Sequence, residues 1–164
     1  MRKATVAILL VVFLAGCGGS SKPSGGGGTT TGGGNTTTSG RTPTMTRTQF
    51  VNAMNQICSS ANSSVGALGL TTNIKTWKRH GAAATNIARL TLKGFRYLKP
   101  PAELKAAAAE YNAAATRIVA AVRNATDAAK NDNVKKFDRA IAEQQNAGSQ
   151  ARSAAGRIGA TSCS

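Results

Sequence analysis

From Leu104 to Ala129 the apolar side chains fall at Leu104, Ala108, Tyr111, Ala115, Ile118, Val122, Ala125 and Ala129, at spacings of 4, 3, 4, 3, 4, 3 and 4. Alternate steps of three and four residues keep every one of these positions on a single face of an α-helix, and a strand, which alternates faces at every residue, has no use for them. A long helix with one apolar face cannot stand alone in water, so the chain has to supply other helices that cover it.

Three further segments carry the same period. Phe50, Met54, Ile57, Ala61, Val65 and Leu68 line one side of a segment that opens near Thr46 and weakens at Gly66 and Gly69. Ile74, Trp77, Ala84, Ile87, Thr91, Phe95 and Leu98 line the next, which Thr72 or Asn73 can cap and which Pro100-Pro101 ends. Val134, Phe137, Ile141, Gln144, Gly148, Ala151, Ala155 and Ile158 line the last, with Asp132 as its candidate cap. Glu103 lies in the first turn of the segment between them, where a negative charge suits the helix dipole. The connections at 69–72, 99–101 and 130–132 are short, and short connections join antiparallel neighbours. The fold class expected is therefore all-α, an up-down-up-down four-helix bundle over residues 46–164. Alanine dominates its inward positions, so the core is thin.

The residues ahead of the bundle have a different character. Arg2 and Lys3 precede an uncharged, mostly apolar run from Ala4 to Gly16. Its 13 residues would rise only about 20 Å as a helix, short of the roughly 30 Å hydrocarbon core, which suits a signal peptide better than a permanent span. Leu14-Ala15-Gly16-Cys17 resembles the bacterial lipobox. That resemblance implies cleavage after residue 16, acylation of the Cys17 thiol, and a chain held at the extracytoplasmic face of the cell membrane. From Gly18 to Met45 the sequence is mostly glycine, serine and threonine with no apolar period, a tether whose root-mean-square span is about 30 Å. The expected division is thus signal peptide 1–16, lipidated cysteine and tether 17–45, and helical domain 46–164.

With Cys17 assigned to lipid, two cysteines remain, Cys58 in the first helix and Cys163 next to the end. An oxidising address favours a disulfide between them. A metal pair would have a single histidine to complete it, and a redox pair would lack the CxxC spacing. To reach Cys58, which lies well along the first helix, the tail has to turn back, and Gly159 offers the place.

The whole chain carries 21 Lys and Arg against 6 Asp and Glu, and 19 against 6 from Cys17 onward. A surplus of that size draws a protein to anionic headgroups, wall polymers or nucleic acid. Export removes nucleic acid as a partner, and few aromatics stand among the cations to stack on bases. No catalytic constellation is present. His80 is the only histidine, next to Lys78 and Arg79, and the six acids are scattered. No cofactor or metal set is indicated. Trp77 and Phe95 are the candidate lining of a pocket between helices, against the simpler reading that both are core.

Three stretches carry a resemblance to a wider group: Phe50…Ile57-Cys58-Ser59-Ser60-Ala61-Asn62, then Pro100-Pro101-Ala102-Glu103-Leu104, then Ala155 to Cys163. Over about residues 48–164 the chain resembles the small exported lipoproteins of actinobacteria. The resemblance implies a helical domain with an early and a terminal cysteine, and it brings no catalytic residues. The function expected is a non-enzymatic envelope lipoprotein that binds a protein or an anionic wall polymer. The alternative is a helical domain that binds or senses a small ligand.

Overall fold

The structure, a computed structural model, describes residues 44–164; the expected signal peptide, Cys17 and the expected tether through residue 43 lie outside the described residues. Helices α1 (Arg47–Gly66), α2 (Ile74–Tyr97), α3 (Lys105–Lys130) and α4 (Val134–Ile158) form an antiparallel four-helix bundle, and no strand occurs among the described residues. Short 3₁₀ turns precede α3 (Ala102–Leu104) and close the chain (Thr161–Cys163).

Local chemistry sets the helix ends. Thr46 and Gln49 make a reciprocal box at the start of α1: the Gln49 amide donates to Thr46 Oγ1 at 3.3 Å, and the Thr46 amide donates to Gln49 Oε1 at 2.9 Å. Asn73 caps α2 by accepting from the Lys75 amide at 2.9 Å. The proline pair stops α2 and starts the 3₁₀ turn, so Glu103 belongs to that turn and not to the α-helix that follows.

The cap of α4 differs from the expectation. Asn133, not Asp132, accepts from the Lys136 amide, at 3.0 Å. Asp132 instead takes φ +51 and ends α3: its amide donates to the Ala129 carbonyl, and the next amide, of Asn133, reaches back to Ala128. That is the glycine position of a Schellman turn, and Asp tolerates the left-handed conformation better than most residues. Gly159 ends α4 in the same way at φ +91.

Helix α3 is the axis of the packing, because it has α2 on one side and α4 on the other. The stripe read from sequence is buried apart from Ile118, which is half-buried. A second stripe, Ala114, Ala121 and Ala128, is buried as well, and α4 faces it with Ala140, Ala147 and Ala154. Both sets repeat every seven residues. Their numbers pair to a constant 268, and the cross-helix contacts Arg117–Gln150 and Glu110–Arg157 pair to 267. One antiparallel register therefore puts alanine level with alanine three times along the seam. Side chains this small let two helix backbones approach closely.

On α4 the buried face is thus turned toward its alanines. Phe137, Ala151, Ala155 and Ile158 are buried as expected, Ile141, Gln144 and Gly148 are half-buried, and Val134 is 57% exposed. Val134 is the first residue of the helix, with no neighbouring element over it to pack against.

The core has two parts. At one end Phe50, Met54 and Cys58 of α1 meet Leu92 and Phe95 of α2, Leu104 to Ala115 of α3 and Ala151 to Ile158 of α4. At the other end Trp77, Val122, Ala125 and Phe137 are packed by three helices only, with Leu68 and Leu70 of the α1–α2 connection at the margin. Within this second part, between Trp77 and Ala84, Gly81 of α2 lies against Thr126 of α3. The buried Thr126 hydroxyl has the Gly81 and Val122 carbonyls within reach, at 3.0 and 2.9 Å, as acceptors for its one proton. A Cβ on Gly81 would stand 2.7 Å from Thr126 Oγ1 and 3.0 Å from its Cγ2. Gly81→Ala is therefore expected to destabilise the fold by about 1–3 kcal/mol, despite the better helix propensity of alanine. Adding Thr126→Ala should cost less than the two single changes summed, measured as a double-mutant cycle of denaturant unfolding. Additive losses would place the crowding elsewhere.

Candidate functional site

Cys58 and Cys163 are bonded, with their α-carbons 5.2 Å apart. The tail reaches Cys58 as its sequence position requires: Gly159 reverses the chain, Ala160 is fully buried, and the last 3₁₀ turn lies along α1. Two asparagines of α1 hold that turn. Asn55 Oδ1 accepts from the Ser162 amide at 2.9 Å, and Asn62 Nδ2 donates to the Ser162 carbonyl at 3.1 Å. The bond closes a loop of 105 positions, for which chain entropy gives about 4–5 kcal/mol of stabilisation.

Tyr111 of α3 faces this bond. Its hydroxyl stands 3.4 Å from Cys58 Sγ, and since a disulfide sulfur has no hydrogen, the tyrosine is the donor. Its ring meets Phe95 edge-on at 4.8 Å between centroids. Burial holds the phenol in its neutral form and pushes its pKa up from 10 to about 12.

Trp77 and Phe95 do not share a cavity. They are 18 residues apart on α2, about 27 Å along the axis, and each is buried in a different part of the core. Trp77 packs edge-on against Phe137 and donates through Nε1 to the Thr71 carbonyl at 2.8 Å. The space beside Phe95, Phe50 and Tyr111 is about 10 Å³, the size of one water molecule at most. Both aromatics are buried, and the one polar atom between them, the Trp77 indole nitrogen, is satisfied.

Larger hollows lie at the surface. One of about 390 Å³ runs between α1 and α2 over Ile57, Ser60, Ser64, Ile87, Leu90 and Thr91. Another of about 300 Å³ follows α3 and α4 over Arg117, Ala121, Glu143 and Ala147. A third, of about 610 Å³, borders the start of α1. Among the described residues no three of His, Cys, Asp and Glu gather as metal ligands, and no helix is long and apolar enough to cross a membrane.

Charge is the outstanding property of this surface. All six acids and 17 of the Lys and Arg side chains are among the described residues, a surplus of eleven. Only two ion pairs form there, Lys78–Asp132 at 2.7 Å and Arg157–Glu110. Both join residues far apart in sequence, which spacing cannot reveal.

Comparison with protein families, with curated proteins and with solved structures found no match to this chain.

The phenol makes a direct test of the packing at the disulfide. Its protonated form is favoured by the fold, so its contribution to stability is intact below pH 10 and is lost as pH rises toward about 12. In a Tyr97→Phe background, phenolate absorbance should titrate with a midpoint near 12. A midpoint at the ordinary value would mean that solvent reaches Tyr111.

Proposed function

We propose that this chain is an exported lipoprotein, fastened to the extracytoplasmic face of the cell membrane through acylated Cys17, whose helical domain binds an anionic polymer of the cell envelope without catalysing a reaction. It belongs, on this reading, with the small actinobacterial-type lipoproteins that its sequence resembles. The single observation that carries the binding reading is the surplus of unpaired cations: fifteen of the seventeen have no carboxylate within 4 Å among the described residues. A surface of that kind repels itself and is relieved by a polyanion, whose counterions are released on contact.

Other features support the address. The disulfide suits an oxidising compartment. Leu14-Ala15-Gly16-Cys17 supplies the acyl acceptor, and the tether that follows gives a reach of about 30 Å from the membrane. A small-ligand role built on Trp77 and Phe95 loses its premise, since both are packed in the core.

Radiolabelled palmitate should mark the full-length chain and fail to mark a Cys17→Ser variant. The detergent-extracted chain should bind isolated wall material, with affinity falling at least about tenfold between roughly 0.05 and 0.5 M salt as the charges are screened. An unlabelled chain would overturn the anchor, and salt-insensitive or absent binding would overturn the partner.

A further inference from the structure

We infer that the outward face of α2 is the docking surface for a linear polymer of phosphate groups, held by Lys75, Arg79, Arg89, Lys93 and Arg96. The inference rests on the polyanion reading above and narrows it from a whole surface to one face.

The geometry comes from the helix itself. At 100° per residue these five positions fall within about 100° of one another, opposite Trp77, Ala84 and Phe95 on the buried side. All five side chains are exposed. From Lys75 to Arg96 the row extends about 32 Å, with Ala82 and Asn86 as its uncharged middle. Lys78, at the edge of the same face, is the one cation of α2 tied to an acid, Asp132. Arg96 is steadied by donating to Thr116 Oγ1 of α3 at 3.3 Å.

What separates this face from the others is the absence of opposing charge. α2 has no Asp or Glu, and neither has α1, whose only charged residue is Arg47 at its start. The cations of α4 are interleaved instead: Lys135, Lys136 and Arg139 stand with Asp138 and Glu143 on the same helix. Those of α3 share it with Glu110 and Asp127. The positive field is thus concentrated along one straight ridge.

The shape selects the partner. A lone phosphate would meet one or two exposed cations, each worth only about 1 kcal/mol in water, and no concave cradle. A chain of phosphates can meet all five in turn, and linked contacts multiply. A bilayer is the weaker fit, because a helix binds the interface by inserting an apolar face, and that of α2 is already used inside the bundle.

The test uses the detergent-extracted full-length chain and long-chain inorganic polyphosphate at about 0.1 M salt. Arg89→Gln/Lys93→Gln/Arg96→Gln removes three charges from α2, and Lys135→Gln/Lys136→Gln/Arg139→Gln removes three from α4. All six side chains are exposed, so both variants should melt like the parent. The expected result is a loss of affinity of about 30-fold or more for the α2 variant and under about 3-fold for the α4 variant. Equal losses would overturn the face while leaving polyanion binding intact. Binding to phosphatidylglycerol vesicles but not to polyphosphate would overturn the polymer in favour of a membrane. No binding of the parent chain to polyphosphate or to wall material would overturn the underlying reading itself.

Discussion

The bond between Cys58 and Cys163 is the constraint on which the four-helix form of this domain depends. α2, α3 and α4 make a continuous three-helix unit, sealed along α3 and α4 by three levels of facing alanines. α1 is the outlier. It buries only Phe50, Met54 and Cys58, its last two turns are exposed, and it takes no part in the core around Trp77 and Phe137. Its closest backbone neighbours are α2 and the terminal 3₁₀ turn, and it meets α3 and α4 only through the core side chains at one end. A helix with so little apolar burial is weakly held by packing alone. The disulfide and the two asparagine contacts to Ser162 hold it in place by way of the tail.

The alanine seam has a second consequence. Small side chains bring the helices close but contribute little apolar area, so long polar side chains are left to cover the outside. Here the cover is mostly cationic, and the acids are confined to 103–143, in the latter half of the described chain. One side of the bundle therefore carries α1 with its amides and hydroxyls beside α2, whose Lys and Arg are unopposed apart from Lys78, whereas α3 and α4 mix both signs. The proposed polyanion surface is this asymmetry put to use.

Much of the architecture is legible in the residues. The alternating steps along α3, the proline pair after α2 and the two cysteines of the helical domain each point to one arrangement, and the bundle contains all of them. The box at Thr46 and Gln49 has a readable T-x-x-Q spacing. Harder to read is the second buried stripe of α3, because alanine is both a core residue and the commonest filler of exposed helix. Nothing in Ala114, Ala121 and Ala128 separates them from exposed Ala113 and Ala120 until α4 is in place. Asp132 and Asn133 are equally good caps by composition, and the tight turn out of α3 decides between them. The ion pairs Lys78–Asp132 and Glu110–Arg157 span 54 and 47 positions, which only the tertiary register brings together. Trp77 and Phe95 look like pocket walls in sequence because both are large aromatics on one helix, and 18 residues of rise set them in separate halves of the core.

The dependence of α1 on the terminal bond is open to one direct measurement: native-state amide hydrogen exchange, resolved by helix, on the full-length chain before and after reduction. Reduction should bring the amides of α1 close to free-chain exchange while most protection survives in α2, α3 and α4. Protection of α1 that persists without the bond, or a loss spread evenly over all four helices, would contradict the account.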